Sequence, residues 1–222
     1  MERIGIKSYV KRSGRITKSQ KKYLYDEKQT KENLIQCDGL LDFKKIYDND
    51  NDCIVDIGFG NGDLLKSIAL KNPNYNFLGI DVYEAGTGQL IKKIKDKNIK
   101  NLKIICEDAV EVLKENIKES SLYGVSIFFP DPWPKKRHQK RRLINIGFIN
   151  LLESKIKNKG FIKIATDWEE YALEIENMLS NYEKFRKVKE INIFKDREKT
   201  KFEKRGIYLN HIIHETSYEK IL

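Results

Sequence analysis

Four aspartates, Asp56, Asp81, Asp108 and Asp131, each stand at or just past the end of a short apolar run. Asp56 opens Asp56-Ile57-Gly58-Phe59-Gly60-Asn61-Gly62, a GxGxG loop with an acid ahead of it. Glycines there permit a tight turn and let the backbone approach a ligand closely. A GxGxxG loop would suit a pyrophosphate on a helix N-terminus. A carboxylate two residues before the first glycine is poor company for phosphate. It suits a ligand with a cationic end, such as the amino group of S-adenosylmethionine. Asp81 lies 19 residues past the last glycine of the loop, where a carboxylate can accept both hydroxyl protons of a ribose. Asp108 has two readings, an acceptor for an adenine amino group or an N-cap for the helix that follows.

Asp131 has a different setting. Three of the four prolines lie in Phe128-Phe129-Pro130-Asp131-Pro132-Trp133-Pro134. Each proline fixes φ, so this is a stiff turn, and a stiff loop loses little entropy when it binds. Residues 135–142 follow with six Lys and Arg and no acid. A carboxylate, an aromatic and a cationic run so close together suit a nucleic-acid base entering beside a cofactor.

The charge is distributed to match. The 222 residues carry a net +10. Residues 1–31 hold ten Lys and Arg against three acids, a net +7, and residues 135–142 add +6, so the rest of the chain sums to −3. Two basic segments on a slightly acidic body point to a polyanion partner. For the lysine-rich N-terminal stretch, a merely solvated face is the alternative. Residues 135–142 contain no apolar side chain, which excludes an amphipathic membrane-surface helix. No apolar run reaches the roughly 18 residues of a membrane span, and no apolar stretch follows the first charges as in a secretory signal. The cysteines Cys37, Cys53 and Cys106 are odd in number and form no CxxC pair. That argues against a disulfide framework or a zinc site and fits a reducing cytoplasm. His138 sits in the basic run, and His211 and His214 alternate faces at most on a strand, so no metal site is expected. No Ser/His/Asp or Cys/His nucleophile set is visible.

These residues need a scaffold, and periodicity supplies one. Strands are predicted at 53–57, 76–80, 102–106, 125–129 and 161–165, and helices at 63–70, 88–97, 110–117, 143–156 and 171–179. Strict alternation of strand and helix implies a parallel sheet covered on both faces. Residues 188–194 and 208–213 read as two closing strands with no helical pattern between them, an antiparallel edge. Residues 1–38 are expected to form a basic arm, partly helical or mobile without its partner. Residues 39–222 are expected to form one domain.

At this point the chain resembles a known family, the bacterial single-subunit tRNA (guanine-N7)-methyltransferases. Gly14-Arg15-Ile16-Thr17 is similar to the family's arm motif, residues 56–62 to its cofactor loop and residues 81–86 to its second-strand motif. Residues 129–135 with Arg137, His138, Lys140, Arg141 and Arg142 resemble its most specific signature. Thr166-Asp167-Trp168 and residues 200–206 complete the resemblance, which covers nearly the whole chain. The family usually has Glu where Asp56 and Asp81 stand, and often Pro at Ala85 and Gly at Asn210.

The resemblance implies an α/β, Rossmann-like class I methyltransferase fold: a mostly parallel seven-stranded sheet, helices on both faces and an antiparallel C-terminal strand pair. It implies S-adenosylmethionine as donor and a guanine in the tRNA variable loop, expected at position 46, as acceptor. Cofactor contacts are expected at Asp56, Gly58, Gly60, Gly62, Asp81, Asp108, Ala109 and Asp131, with Asp131 also catalytic. Substrate contacts are expected at Lys135, Asp167, Thr200, Lys201, Phe202 and Glu203, and RNA phosphate contacts at Arg12, Arg15, Arg137, His138, Lys140, Arg141 and Arg142. Asp167 has a plainer reading as a helix N-cap, and Glu203 as a surface turn carboxylate. A monomer or homodimer with no second protein subunit is expected. Three other classes compete: a nicotinamide oxidoreductase, which should carry GxGxxG; an adenine amino-group methyltransferase, which should carry two adjacent prolines after its Asn or Asp; and a non-catalytic RNA-binding domain.

Overall fold

A computed structural model describes residues 7–9, 16–30 and 32–221. The described residues form seven strands: β1 (Cys53–Ile57), β2 (Asn76–Ile80), β3 (Leu102–Ile105), β4 (Leu122–Phe128), β5 (Ile156–Thr166), β6 (Phe185–Val188) and β7 (His214–Lys220). They join one sheet in the order β3-β2-β1-β4-β5-β7-β6. The first five strands are mutually parallel, and β7 runs antiparallel to both β5 and β6. Nine helices accompany them among the described residues: α1 (Lys18–Tyr25), α2 (Glu27–Thr30), α3 (Phe43–Tyr47), α4 (Asp63–Lys71), α5 (Glu84–Asp96), α6 (Ala109–Glu115), α7 (Ile146–Lys155), α8 (Glu169–Ser180) and α9 (Lys201–Tyr208). Two short 3₁₀ turns, Lys136–Arg141 and Asn192–Phe194, lie between them. None of these helices is long and apolar enough to cross a membrane.

The side-chain period of two divides the sheet between two cores. Cys53, Val55 and Ile57 of β1 pack on one face with Val112, Leu113, Phe148 and Tyr171. Ile54 packs on the other with Leu65, Ile68, Leu90 and Ile91. Both faces are covered, so β1 and β2 are buried at every position, which is why they read as unbroken apolar runs rather than alternating ones. Each buried aliphatic side chain contributes roughly 1.5–3 kcal/mol. Leu90 does a further job, since it fills the space where a Cβ on Gly62 would fall, only 2.5 Å from its Cδ2.

Within the N-terminal arm residues 18–30 are mostly helical, and α1 packs on α5. Thr17 and Gln20 close a capping box at the start of α1. Gly88 lets the two helices touch, because a Cβ there would lie 2.3 Å from the Gln20 carbonyl oxygen. The Tyr25 hydroxyl donates to Glu84 (3.0 Å), and Lys95 donates to the carbonyl of Lys28 (2.9 Å). Residues 33–35 then extend the sheet: Ile35 N–H donates to the Ile104 carbonyl, and Ile104 N–H donates to that of Asn33, both at 2.8 Å.

The tail departs from expectation. Residues 188–194 form the end of β6 and a 3₁₀ turn, and residues 208–213 form the end of α9 and a turn leading into β7. A helix does lie between the closing strands. The antiparallel pair exists, displaced to 185–188 and 214–220. Thr200 and Glu203 form a capping box that starts α9, and this local signal outweighs the strand-favouring Tyr208, Ile212 and Ile213.

Candidate active site

The strand order reverses between β1 and β4, and ligands of such sheets bind at that switch point, beyond the carboxyl ends of the strands. Asp56 of β1 and Ser126 of β4 are register partners there. The Ser126 hydroxyl donates to Asp56 Oδ1 at 2.6 Å, with both residues buried. Burial pushes the Asp56 carboxyl up to about 7, against the opposing effect of the Ser126 hydrogen bond and with a small push from Asp81. A buried carboxylate of this kind is short of positive charge. An incoming ammonium would satisfy it.

The glycine loop lies above it. Gly58 and Gly60 hold positive φ (77° and 57°), and a Cβ at either would meet nothing within 4 Å. Their outer side is open, a cradle that side chains would fill. Gly60 N–H donates to Asp81 Oδ2 (2.7 Å) and Tyr83 N–H to Asp81 Oδ1 (3.0 Å). Burial raises the Asp81 carboxyl, and these backbone donors offset part of the rise. An ionised carboxylate has about four lone-pair sites, so capacity remains for a diol. Gly86 of α5 backs the loop, since a Cβ there would sit 2.0 Å from the Gly60 carbonyl oxygen. Lys93 ties the loop from the same helix, donating to the Asn61 carbonyl (2.7 Å) and pairing with Asp63 (2.6 Å). Asp108 Oδ1 caps α6 by accepting from Val110 N–H at 2.9 Å, and Ala109 is buried beside it. The capping reading therefore holds for one Asp108 oxygen. A buried carboxylate for an amino group, a second at the ribose position and an open glycine turn fit S-adenosylmethionine.

The neighbouring half of the edge is open. Phe129 N–H donates to the Ala165 carbonyl (2.7 Å), which ties the proline loop to the end of β5. Phe129 and Trp133 both take left-handed φ (56° and 46°), so the loop reverses twice around Asp131. Asp131 is exposed, as are Lys135, Lys136, Arg137 and Lys140. His138 packs edge-on to Trp133, with centroids 5.8 Å apart. Its imidazole is held below the ordinary value by desolvation and then by the nearby Arg137, Lys135, Arg141 and Lys140.

Two arginines of the basic run are not free cations. Arg142 was expected to meet phosphate, but only 4% of its side chain is exposed. Its guanidinium donates to the Pro132 carbonyl (2.8 Å), pairs with Glu174 and Glu170, and stacks over Tyr171 (4.8 Å). It therefore clamps the proline loop onto α8, and the expected phosphate contact is corrected to a structural one. Arg141 stacks on Trp133 (4.2 Å) and donates to the carbonyls of Lys7 and Tyr9 (3.1 and 3.0 Å), while Trp133 Nε1 donates to that of Ser8 (3.0 Å). Residues 7–9 thus lie across this pair. Arg12 and Arg15 lie outside the described residues.

Asp167 follows β5 directly. It is not the N-cap of α8; that position is Trp168, whose N–H is taken by the Thr166 hydroxyl at 3.2 Å. The Asp167 Oδ2 faces His211 Nδ1 at 3.1 Å. Lys201 and Phe202 are exposed on α9. Glu203 is neither exposed nor in a surface turn. It is buried, accepts from Thr200 N–H (3.3 Å) and pairs with Arg197 (2.6 Å). Arg197 also binds Glu215 (2.9 Å), which binds Lys163 (2.8 Å). Burial opposes ionisation of Glu215, yet Arg197 and Lys163 together hold it below the usual value. Glu203 therefore anchors α9 whatever else it does. Asn210 takes left-handed φ (59°), the conformation for which Gly, and next Asn, is suited.

Sequence reasoning did not single out Ser126, Arg197 or His211 as site residues. Ser126 was findable as the one polar residue in a buried run. The other two depend on pairings across 18 and 44 residues.

The mostly parallel sheet, the glycine loop and the carboxylate ending β2 fit a class I methyltransferase fold. The fold matches solved structures of that class: an aminoglycoside-resistance methyltransferase, NpmB1, at TM-score 0.54 and 14% identity over 81% of this chain and 92% of that one. An S-adenosylmethionine-dependent O-methyltransferase from Thermotoga maritima matches at TM-score 0.52 and 12% identity, covering 81% of this chain and 63% of that one. At these identities the likeness is one of fold. The family model "Putative methyltransferase" matches residues 50–216. The tRNA (guanine-N(7)-)-methyltransferase of Francisella philomiragia is 43% identical, covering 97% of this chain and 95% of its own length. That of Legionella pneumophila strain Paris is 46% identical, covering 93% and 89%. The chain belongs to the tRNA (guanine-N7-)-methyltransferase family.

Proposed function

We propose that this chain transfers a methyl group from S-adenosylmethionine to N7 of a guanine in the tRNA variable loop, position 46. The observation that carries the reading is the contrast along one sheet edge. A cradle with the buried Asp56 and the partly buried Asp81 adjoins two more open strand-end aspartates, the exposed Asp131 and the half-buried Asp167, and the exposed Lys135, Arg137 and Lys140 follow Asp131. Bound S-adenosylmethionine supplies an electrophilic methyl on a sulfonium. Asp56 accepts from its amino group, Asp81 from its ribose hydroxyls and Asp108, with its second oxygen, from its adenine. Gly58, Gly60, Gly62 and Ala109 give it backbone room.

Guanine N7 bears an in-plane lone pair and no proton at neutral pH, so no general base is required. The task is alignment, which contributes up to roughly 7–11 kcal/mol. Asp131 positions donor and base, and Asp167 accepts from the N1/N2 edge of guanine. Both carboxylates favour the positive charge that grows on the base. Lys135, Arg137, His138 and Lys140 contact phosphates, with Arg12, Arg15 and Arg141 adding to them once RNA is seated. Thr200, Lys201 and Phe202 border the base. The enzyme acts in the cytoplasm, as a monomer or homodimer without a second kind of subunit.

Labelled methyl transfer to bulk tRNA lacking the modification, followed by nucleoside analysis, tests this. N7-methylguanosine, cleavable by reduction and aniline, is the expected product. Methyl on an adenine, or none, overturns the reading.

A further inference from the structure

We infer that His211 is a positioning residue for Asp167, holding its carboxylate in the orientation that receives the guanine edge. The inference rests on the function proposed above and adds a residue to it. In the role proposed above Asp167 acts as an acceptor. Its contact with His211 at 3.1 Å therefore requires the imidazole hydrogen on Nδ1. One carboxylate oxygen, Oδ2, is then committed to the ring, and Oδ1 is left for substrate.

The chain goes to some length to bring His211 there. α9 ends with Leu209 N–H donating to the carbonyl of Arg205 at 3.0 Å. Asn210 turns left-handed (φ 59°), and His211 N–H returns to the Gly206 carbonyl at 2.9 Å. This turn reverses the chain and presents the imidazole to Asp167. Gly206 also lies against the carboxylate. A Cβ on it would lie 2.9 Å from Asp167 Oδ2 and 3.1 Å from Asp167 Cβ. The carboxylate lies against a glycine of α9 and a histidine on the turn that follows it. The pair is 38% and 30% exposed, and pairs this open contribute little to stability. Orientation is the role that remains.

Three substitutions separate orientation from mere folding. His211→Leu removes the donor, and His211→Asn keeps an N–H near the Nδ1 position. Gly206→Ala pushes on the carboxylate while improving the helix propensity of α9. Tests use the full chain, a tRNA transcript, steady-state methylation, calorimetric S-adenosylmethionine binding and thermal melts. Expected are a 10- to 50-fold fall in kcat/KM for tRNA with His211→Leu, recovery to within about 3-fold with His211→Asn, and a comparable fall with Gly206→Ala despite an equal or higher melting temperature. Cofactor affinity stays unchanged throughout. His211→Leu adds nothing to Asp167→Asn. Wild-type turnover by His211→Leu, or additive losses in the double variant, overturns the inference while the proposed function stands. Absence of N7-methylguanosine with the wild-type chain overturns both.

Discussion

The β1–β2 side of the sheet edge and the β4–β5 side use aspartates in opposite ways. Asp56 and Asp81 are buried or nearly so, bonded to Ser126 and to backbone N–H groups, and raised above the usual carboxylate range. Asp131 is exposed, and Asp167 is partly open to solvent. The first side is built before its ligand arrives, at a cost to folding that the ligand's cationic end removes. The second side keeps its carboxylates in water, with cations around them, and is completed by a macromolecule. A small donor can be enclosed, whereas an RNA must be able to dock and leave.

The contrast yields graded expectations. Asp131→Ala gives the largest effect, a fall in kcat of about 10²–10³-fold, read by single-turnover methylation; near-wild-type turnover breaks the assignment. Asp56→Asn comes next, because it removes a charge-assisted hydrogen bond of about 1.5–3 kcal/mol, so cofactor affinity falls roughly 10- to 100-fold. The same variant sharpens the comparison through pH. The fold raises the Asp56 carboxyl from 3.8 to about 7. The cost of its charge is therefore absent below about pH 4, grows as pH rises, and is complete above about pH 7. Unliganded Asp56→Asn is expected to be more stable than the wild type at pH 8, by on the order of 1–3 kcal/mol, and equal to it near pH 4. Melts across that range decide it.

Arg142→Met is expected to cost about 1–2 kcal/mol of stability, a middle value because its glutamate partners remain half-exposed when left alone. An unchanged melting temperature with a reduced salt slope would return Arg142 to the RNA-binding set. Lys140→Ala is the smallest change. It should leave the melting temperature alone, weaken tRNA binding a few-fold and reduce the slope of log affinity against log salt by about one. Cofactor binding should show little salt dependence in either chain.

The central fold was legible because both-face burial turns strands into apolar runs, and β1 and β2 begin and end where periodicity puts them. Helix α5 starts four residues earlier than predicted, since Glu84–Gly88 carries two glycines that packing against α1 and the cofactor loop demands. The C-terminal region misled for a related reason. Gly206 weakens the helical pattern of residues 201–208, while Tyr208, Ile212 and Ile213 are of the aromatic and β-branched types enriched in strands. The Thr200-x-x-Glu203 box marks the helix and was visible in the sequence. The cofactor carboxylates were legible from their places after strands. The clamp formed by Arg142 was not, because six like charges within eight residues look equivalent until Glu170 and Glu174 are seen on a neighbouring helix. His211 and Asp167 meet only through the reversal at Asn210.

Trp133 donates its indole N–H to the Ser8 carbonyl and carries the Arg141 guanidinium on its face. It is one of two tryptophans in the chain, the other being Trp168. The chain thus contains its own optical reporter. A Trp168→Phe background leaves a single tryptophan whose hydrogen bond to Ser8 is lost when residues 7–9 lift away. Its emission therefore tracks the seating of the N-terminal segment during tRNA binding without any added label.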